Sequence, residues 1–208
     1  MIDLSLLLAF IAAAFLLAVT PGVDTAIVLR TATLEGRRQA ALAAMGIGLG
    51  CLAWGVAVSL GLGALLQASE LGYTVVRFAG AAYLIWLGSR LVFKPRTSFD
   101  AGAGAATSVN GQAFWRGLLT NLLNPKVGVF YVTFLPQFVP FGADVAGYSF
   151  FLACLHVVLT LAWFAVLIAA TIPLGRLLRR PALTRALDRV TGGVLVAFGV
   201  RLATSSAP

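Results

Sequence analysis

Two short polar motifs interrupt apolar segments of this chain and place opposite charges within them. Residues 20–24 read Thr-Pro-Gly-Val-Asp inside the apolar segment 4–29, and residues 124–126 read Asn-Pro-Lys inside the apolar segment 114–139. A charged side chain within the bilayer costs free energy, so a charged residue found there is a candidate for function. A carboxylate and an ammonium together suit the two charged groups of a zwitterion such as a free amino acid.

The prolines of both motifs indicate that each segment consists of two half-helices. Proline deletes a backbone hydrogen bond inside a helix but suits the first helical position, and a threonine or asparagine before it suits the N-cap. Thr20 and Pro21 are therefore predicted to begin one second half-helix, and Asn124 and Pro125 to begin another. The N-terminal amides of such half-helices point into the membrane interior, where they favour anions.

The members of the two motifs have complementary predicted roles. Asp24 is predicted to bind the ammonium group of a substrate or a coupling proton. Lys126, with the amides that follow Asn124, is predicted to bind the carboxylate. Gly22 and the two prolines are predicted to shape the breaks. Asn121 lies one turn before the second proline and is predicted to face the same cavity.

Structural roles are the alternative for these polar residues. Asp24 and Lys126 can pair and hold two helices together, although buried pairs add little net stability because desolvation offsets their attraction. Asn121 can make a hydrogen bond between helices. His156 lies in an apolar run and is either a packing residue or a proton relay.

The composition identifies an integral membrane protein. Of the 208 residues, 60% are hydrophobic and 11% are charged. No charged residue lies between Arg38 and Glu70 or between Asp144 and Arg176, and both stretches exceed the roughly 20 residues that a spanning helix needs. The net charge of +8 does not point to nucleic-acid binding, because the basic residues fall between the apolar segments. Basic residues in such loops set the orientation of a protein in the membrane. With one histidine and two cysteines, we expect no metal site. We also expect no cofactor and no enzymatic activity.

Six membrane segments are predicted, of which the first and fourth are broken. They lie at approximately 4–29, 39–66, 72–93, 114–139, 147–174 and 184–204. The third and sixth segments share two short motifs. Residues 77–80, Arg-Phe-Ala-Gly, recur as residues 189–192, Arg-Val-Thr-Gly, and residues 88–91, Gly-Ser-Arg-Leu, recur as residues 199–202, Gly-Val-Arg-Leu. Together with the matched breaks, these motifs predict two repeats of three helices. Because three is odd, the second repeat enters the membrane from the opposite side, as in many secondary transporters.

The predicted fold is therefore an all-α membrane protein built from two inverted repeats in a single domain, 1–208. Repeat one spans approximately 4–93 and repeat two approximately 114–204, joined by a linker at approximately 94–113. The loops after segments one, three and five contain twelve Lys or Arg residues, against two on the other side. This bias predicts that these loops and the linker are cytoplasmic and that both termini lie outside.

The chain resembles the lysine-exporter (LysE) family, and within it the RhtB-type homoserine/threonine exporter branch. The similar stretches are 20–24, 36–41, 46–48, 80–84 with Gly88, 114–117, 124–126 and 134–138. One departure is Val23, where the family usually has a second proline. The resemblance implies an oligomeric exporter of amino acids or close derivatives in the bacterial cytoplasmic membrane, driven by the proton-motive force. Its expected partners are a small amino acid, protons and the lipid bilayer.

Two other classes of protein remain open at this point. Cys51 and Cys154 each lie in the middle helix of a predicted repeat, an arrangement that could suit transmembrane thiol–disulfide electron transfer. Neither has a neighbouring cysteine, and a buried cysteine usually behaves as a small apolar residue. A non-transporting accessory membrane protein is the second alternative, and it would tolerate neutral residues at both Asp24 and Lys126.

Overall fold

All regular structure that the computed structural model of the protein describes is helical. The structure describes residues 3–68, 70–95, 112–178 and 180–204, and within them it contains no β-strand. Of the linker predicted at 94–113, all but the two residues at each end lie outside this part of the chain. The fold class predicted from composition is therefore confirmed as far as its helical character.

Nine α-helices follow one another along the described chain. They are α1 (Leu4–Val19), α2 (Val23–Leu34), α3 (Arg37–Ala68), α4 (Glu70–Phe93), α5 (Gln112–Leu122), α6 (Pro125–Val129), α7 (Val145–Ala169), α8 (Thr171–Leu178) and α9 (Pro181–Thr204). A π-helical turn, Phe130–Phe134, and a 3-10 turn, Leu135–Phe138, continue α6.

Length and hydropathy assign two straight membrane spans within the described residues. Arg37–Gly61 of α3 and Val145–Ala169 of α7 each have 25 residues of suitable composition. The pair α1 and α2 is bent by 52° at its break, and α5 is bent by 54° against the segment that α6 begins. Counting each bent pair as one span gives up to four. The predicted third and sixth segments are helical, as α4 and α9, but they do not meet this criterion for a span.

The first break differs from its predicted form. Thr20 is the C-cap of α1 rather than an N-cap, because its amide and its hydroxyl both donate to the carbonyl of Leu16, at 3.0 and 2.7 Å. The N-cap of α2 is Gly22, in an extended conformation. The prediction that the second half-helix begins at Pro21 was therefore wrong by two residues. Two hydrogen bonds to Leu16 complete α1 and leave Thr20 unavailable as the N-cap of α2.

The second break has the predicted form. Asn124 is the N-cap of α6, and its side-chain Oδ1 accepts a hydrogen bond from the amide of Lys126 at 3.1 Å. Pro125 occupies the first helical position, where its missing N–H leaves no bond unmade.

Contacts between helix ends give the relative directions of the helices. The guanidinium of Arg116, near the start of α5, donates to both carboxylate oxygens of Glu35, just after α2, at 2.7 and 2.8 Å. At the same end, Arg37 donates to the carbonyl of Ala169 at 3.4 Å. The end of α2 and the start of α5 therefore meet, so the two broken segments run in opposite directions.

An aromatic cluster packs toward the other end of the bundle. It consists of Phe10, Phe130, Phe134, Phe138 and Phe198, with neighbouring ring centroids 4.4 to 6.2 Å apart. The first four are almost completely buried. The cluster ties α1 to α9 and to the turns that follow α6.

Close packing of α3 against α5 depends on glycine. A Cβ on Gly46 would overlap the carbonyl oxygen of Phe114, and a Cβ on Gly117 would overlap that of Ala43. Small residues at such crossings let helix backbones approach each other in membranes. This approach brings α5, and with it Asn121, close to the helices around the first break.

We expect Gly46→Ala to destabilise the protein because its Cβ meets backbone that cannot move aside. The helices must separate, and overpacking of this kind costs about 1–3 kcal/mol. Thermal melting in detergent measures the effect. The control is Gly61→Ala on the same helix, where no described atom lies within 4 Å of the new Cβ. Equal melting temperatures for the two variants would contradict the close crossing.

Candidate functional site

The break at Pro21 leaves carbonyl groups of α1 without helical partners. In a continuous helix the carbonyl of Leu17 would accept from the amide of residue 21, but proline has no N–H. The ammonium of Lys126 donates to the carbonyl of Leu17 at 3.0 Å and to that of Thr20 at 3.1 Å. The lysine of the second break therefore satisfies carbonyls that the first break exposes.

Asp24 lies in the first turn of α2, where the helix dipole favours a carboxylate. Its Oδ2 accepts a hydrogen bond from Nδ2 of Asn121 at 2.8 Å. The other oxygen, Oδ1, is buried and makes no hydrogen bond to any residue that the structure describes. The ammonium of Lys126 and the side-chain amide of Asn124 both lie near the carboxylate. A buried acceptor without a donor is costly, and a ligand that supplies a donor removes that cost.

A cavity of about 40 Å³ lies between the two breaks. Its polar lining consists of Thr20, Asp24, Thr25, Cys51, Asn124, Lys126, His156 and Thr160. This volume holds roughly three water molecules, since one needs about 10–15 Å³. The cavity is therefore smaller than an amino acid, although a carboxylate and an ammonium both border it.

Most of the residues singled out in the sequence meet here. Those that line the cavity are Thr20, Gly22, Asp24, Asn124 and Lys126. Asn121 is fully buried and reaches the site through its bond to Asp24. Pro21 is buried at the first break. Pro125 begins α6, and its side chain lies outside the described part of the structure.

The amides after Asn124 are already hydrogen-bonded. The amide of Lys126 donates to the Asn124 side chain, and those of Val127 and Gly128 donate to the Asn124 carbonyl at 3.0 and 3.1 Å. A bound carboxylate would have to displace this cap in order to contact these amides. The ammonium of Lys126 is therefore the better candidate for a direct contact.

A second group of buried polar side chains lies beside Asp24. Nδ2 of Asn121 also contacts the thiol of Cys51 at 3.4 Å, which makes Asn121 a link between helices as well as a partner of Asp24. The hydroxyl of Tyr131 lies 2.9 Å from Nδ1 of His156, and the His156 ring packs against that of Phe130. Both cysteines are free thiols. His156 is thus held by a hydrogen bond while it borders the cavity.

Helix α7 contributes His156, whose role the sequence left open, and two residues that the sequence did not single out, Thr160 and Phe164. His156, Thr160 and Phe164 all line the cavity, and their spacing of four residues places them on one helix face. That spacing was the available signal, because a single hydroxyl in an apolar run is otherwise unremarkable. The hydroxyl of Thr160 is buried and has no hydrogen-bond partner among the described residues.

Comparison with a family model and comparison with individual relatives point to the same family of membrane proteins. The family described as LysE type translocator matches residues 15–206. A leucine efflux protein of Klebsiella pneumoniae is 30% identical over 199 residues, covering 95% of this chain and 94% of the relative. A threonine efflux protein of Salmonella typhi is 30% identical over 192 residues, covering 89% and 91%. The uncharacterized membrane protein YrhP of Bacillus subtilis is 29% identical over 207 residues, covering 96% and 99%. No solved structure matches the chain.

Proposed function

The chain belongs to the LysE family of translocators, and we propose that it is a secondary active exporter of amino acids across the bacterial cytoplasmic membrane. The names of the leucine and threonine efflux relatives support this class of substrate. The observation that supports it most directly is the meeting of Asp24 and Lys126 at one cavity between two broken helices.

In this proposal the substrate binds as a zwitterion. Its ammonium group binds Asp24, whose Oδ1 lacks a hydrogen-bond donor among the described side chains and amides. Its carboxylate binds Lys126, which must turn part of its ammonium away from the carbonyls of Leu17 and Thr20. The cavity must widen to admit the substrate. Substrate binding would thereby loosen the contact between the two breaks, which is the kind of coupled rearrangement that alternating access requires.

The proposed architecture is six spans in one membrane domain, as two inverted repeats. The opposite directions of the two broken segments support it, because Arg116 and Glu35 join the start of one to the end of the other. Helices α4 and α9, which contain the two shorter segments, pack against each other. The excess of Lys and Arg in the loops after segments one, three and five supports a cytoplasmic position for that end, with both termini outside.

Coupling to the proton gradient is proposed to use Asp24. Protonation of the carboxyl group from the outer side removes the charge that binds the ammonium, so the amino acid is released. The proton then leaves on the cytoplasmic side during the return step. One group therefore alternates between substrate and proton.

Export can be tested in proteoliposomes loaded with radiolabelled leucine or threonine. An imposed pH gradient should drive release of the amino acid from loaded vesicles that contain the protein. Loaded vesicles without the protein should not release it. Release that is independent of the protein would contradict the proposal and leave an accessory membrane protein as the better interpretation.

We expect a variant with both Cys51→Ala and Cys154→Ala to retain export driven by the pH gradient. Neither thiol has a charge to offer a zwitterion, and Asp24 keeps its bond to Asn121 in this variant. The same vesicle assay measures it. Complete loss of export, with the variant folded and inserted, would favour the thiol–disulfide electron carrier instead.

A further inference from the structure

The Thr160 hydroxyl differs from those of five other threonines that lie in helices or at a helix end. The hydroxyls of Thr20, Thr33, Thr133, Thr171 and Thr204 each donate to the carbonyl four residues earlier, at 2.7 to 3.1 Å. Such bonds are the usual way for a helical threonine to satisfy its hydroxyl. Thr160 Oγ1 makes neither this bond nor another to the described residues, although the side chain is 95% buried.

The position of Thr160 suggests what its hydroxyl is for. Thr160 lines the cavity from α7, whereas Asp24 lines it from α2. Oδ1 of Asp24 is the other buried oxygen of this lining that lacks a hydrogen bond within the described structure. Two buried side-chain oxygens that can accept hydrogen bonds, and that have no partner among the described residues, therefore border one small space.

An ammonium group fits this pair of oxygens better than a carboxylate does. It has three N–H donors and no acceptor, so it can donate to a carboxylate and a hydroxyl at once. A substrate carboxylate would be repelled by Asp24 and attracted to Lys126, which also borders the cavity. The ammonium is common to all amino acids, including those whose side chains have no polar atom.

We propose that Thr160 is a substrate-binding residue, whose Oγ1 accepts a hydrogen bond from the α-ammonium group that Asp24 also binds. This inference rests on the proposed export of amino acids and adds a contact on α7 to it. The ammonium would then join the first broken helix to a straight span. Recognition at this position depends on the α-ammonium group of the amino acid, so it is the same for amino acids with different side chains.

The decisive experiment compares Thr160→Val with wild type in the vesicle assay, using leucine and threonine. Valine keeps the shape and removes the hydroxyl. A hydrogen bond to a charged group accounts for about a tenfold change in affinity, so we expect KM to rise about tenfold for both substrates. Thr160→Ser should return KM to near the wild-type value, because it restores the oxygen.

The control is Ser149→Ala on the same helix. Ser149 is also buried, and its hydroxyl likewise lacks a partner within the described residues, but it does not line the cavity. Its replacement therefore reproduces the loss of a buried hydroxyl without touching the site. We expect its KM to equal that of wild type.

Thermal melting in detergent separates binding from folding. Thr160→Val should melt no lower than wild type without substrate, because it removes an unsatisfied group, but it should show less stabilisation when leucine or threonine is added. If the valine variant does not fold, Thr160→Ala takes its place.

The outcomes also separate this inference from the proposed function. An unchanged KM in the hydroxyl-free variants would overturn the role of Thr160 while export stands. A rise in KM confined to threonine would also overturn it, since it would assign the hydroxyl to the substrate side chain. A wild-type protein that neither exports nor is stabilised by these amino acids would refute the proposed function itself.

Discussion

Asp24→Asn should abolish export driven by the pH gradient, with a loss of about 100-fold or more. The amide has nearly the same shape as the carboxyl group and can still accept a hydrogen bond from Asn121. The amide has no charge with which to bind an ammonium, and it does not take up or release a proton in the pH range of the assay. A hydrogen bond to a charged group contributes about 1.5–3 kcal/mol, so loss of binding alone accounts for roughly 10- to 100-fold, and loss of coupling adds to it.

The matched control for this substitution is Asp144→Asn. Asp144 is exposed and caps the N-terminus of α7, and asparagine is an equally good N-cap. This variant undergoes the same chemical change at a helix start outside the cavity, and we expect it to export normally. Both variants should be checked for membrane insertion and yield. Undiminished efflux with Asp24→Asn would exclude the carboxylate from binding and coupling.

Lys126→Met is expected to lose export and to lower stability at the same time. The carbonyls of Leu17 and Thr20 would lose the ammonium that donates to both, and each unsatisfied buried group costs about 1–3 kcal/mol. The substrate carboxylate would also lose its proposed partner. Melting in detergent and vesicle efflux measure the two effects separately.

Two further variants distinguish the structural role of this lysine from its role in binding. Lys126→Arg retains a cation and several donors, so it should recover much of the stability, whereas its larger planar group should still raise KM. Lys94→Met replaces the other lysine of the chain, which is exposed near the end of α4, and should leave both readouts unchanged. If Lys126→Met melts and exports as wild type does, neither role is tenable.

The sequence was sufficient to locate both breaks and the charges that meet between them. Proline has the same effect on a helix in any context, so Pro21 and Pro125 indicate interruptions without any knowledge of the tertiary structure. An ionisable residue in an apolar segment avoids lipid, so Asp24 and Lys126 were expected to face the interior. These arguments depend only on residue type and position along one helix.

Other features depend on contacts between helices and could not be read from the chain. Thr20 completes α1 because its hydroxyl can reach Leu16, and local propensity alone favoured it equally as an N-cap. The capping of α1 by Lys126 joins residues more than a hundred positions apart. The hydrogen bond between Tyr131 and His156 also joins two separate elements, because it requires the π-helical turn to face α7.

The opposite charges at one cavity determine how membrane voltage acts on the proposed cycle. With Asp24 ionised, Lys126 charged and a zwitterion bound, the occupied site has zero net charge, so the outward step is electroneutral. After Asp24 takes up a proton and the amino acid leaves, the site has one positive charge. An inside-negative potential favours its inward return by about 2.3 kcal/mol per 100 mV if the charge crosses the whole field. In the proposed cycle, the membrane potential therefore drives the inward return of the protonated carrier without substrate, whereas the outward step of the loaded carrier does not depend on the potential.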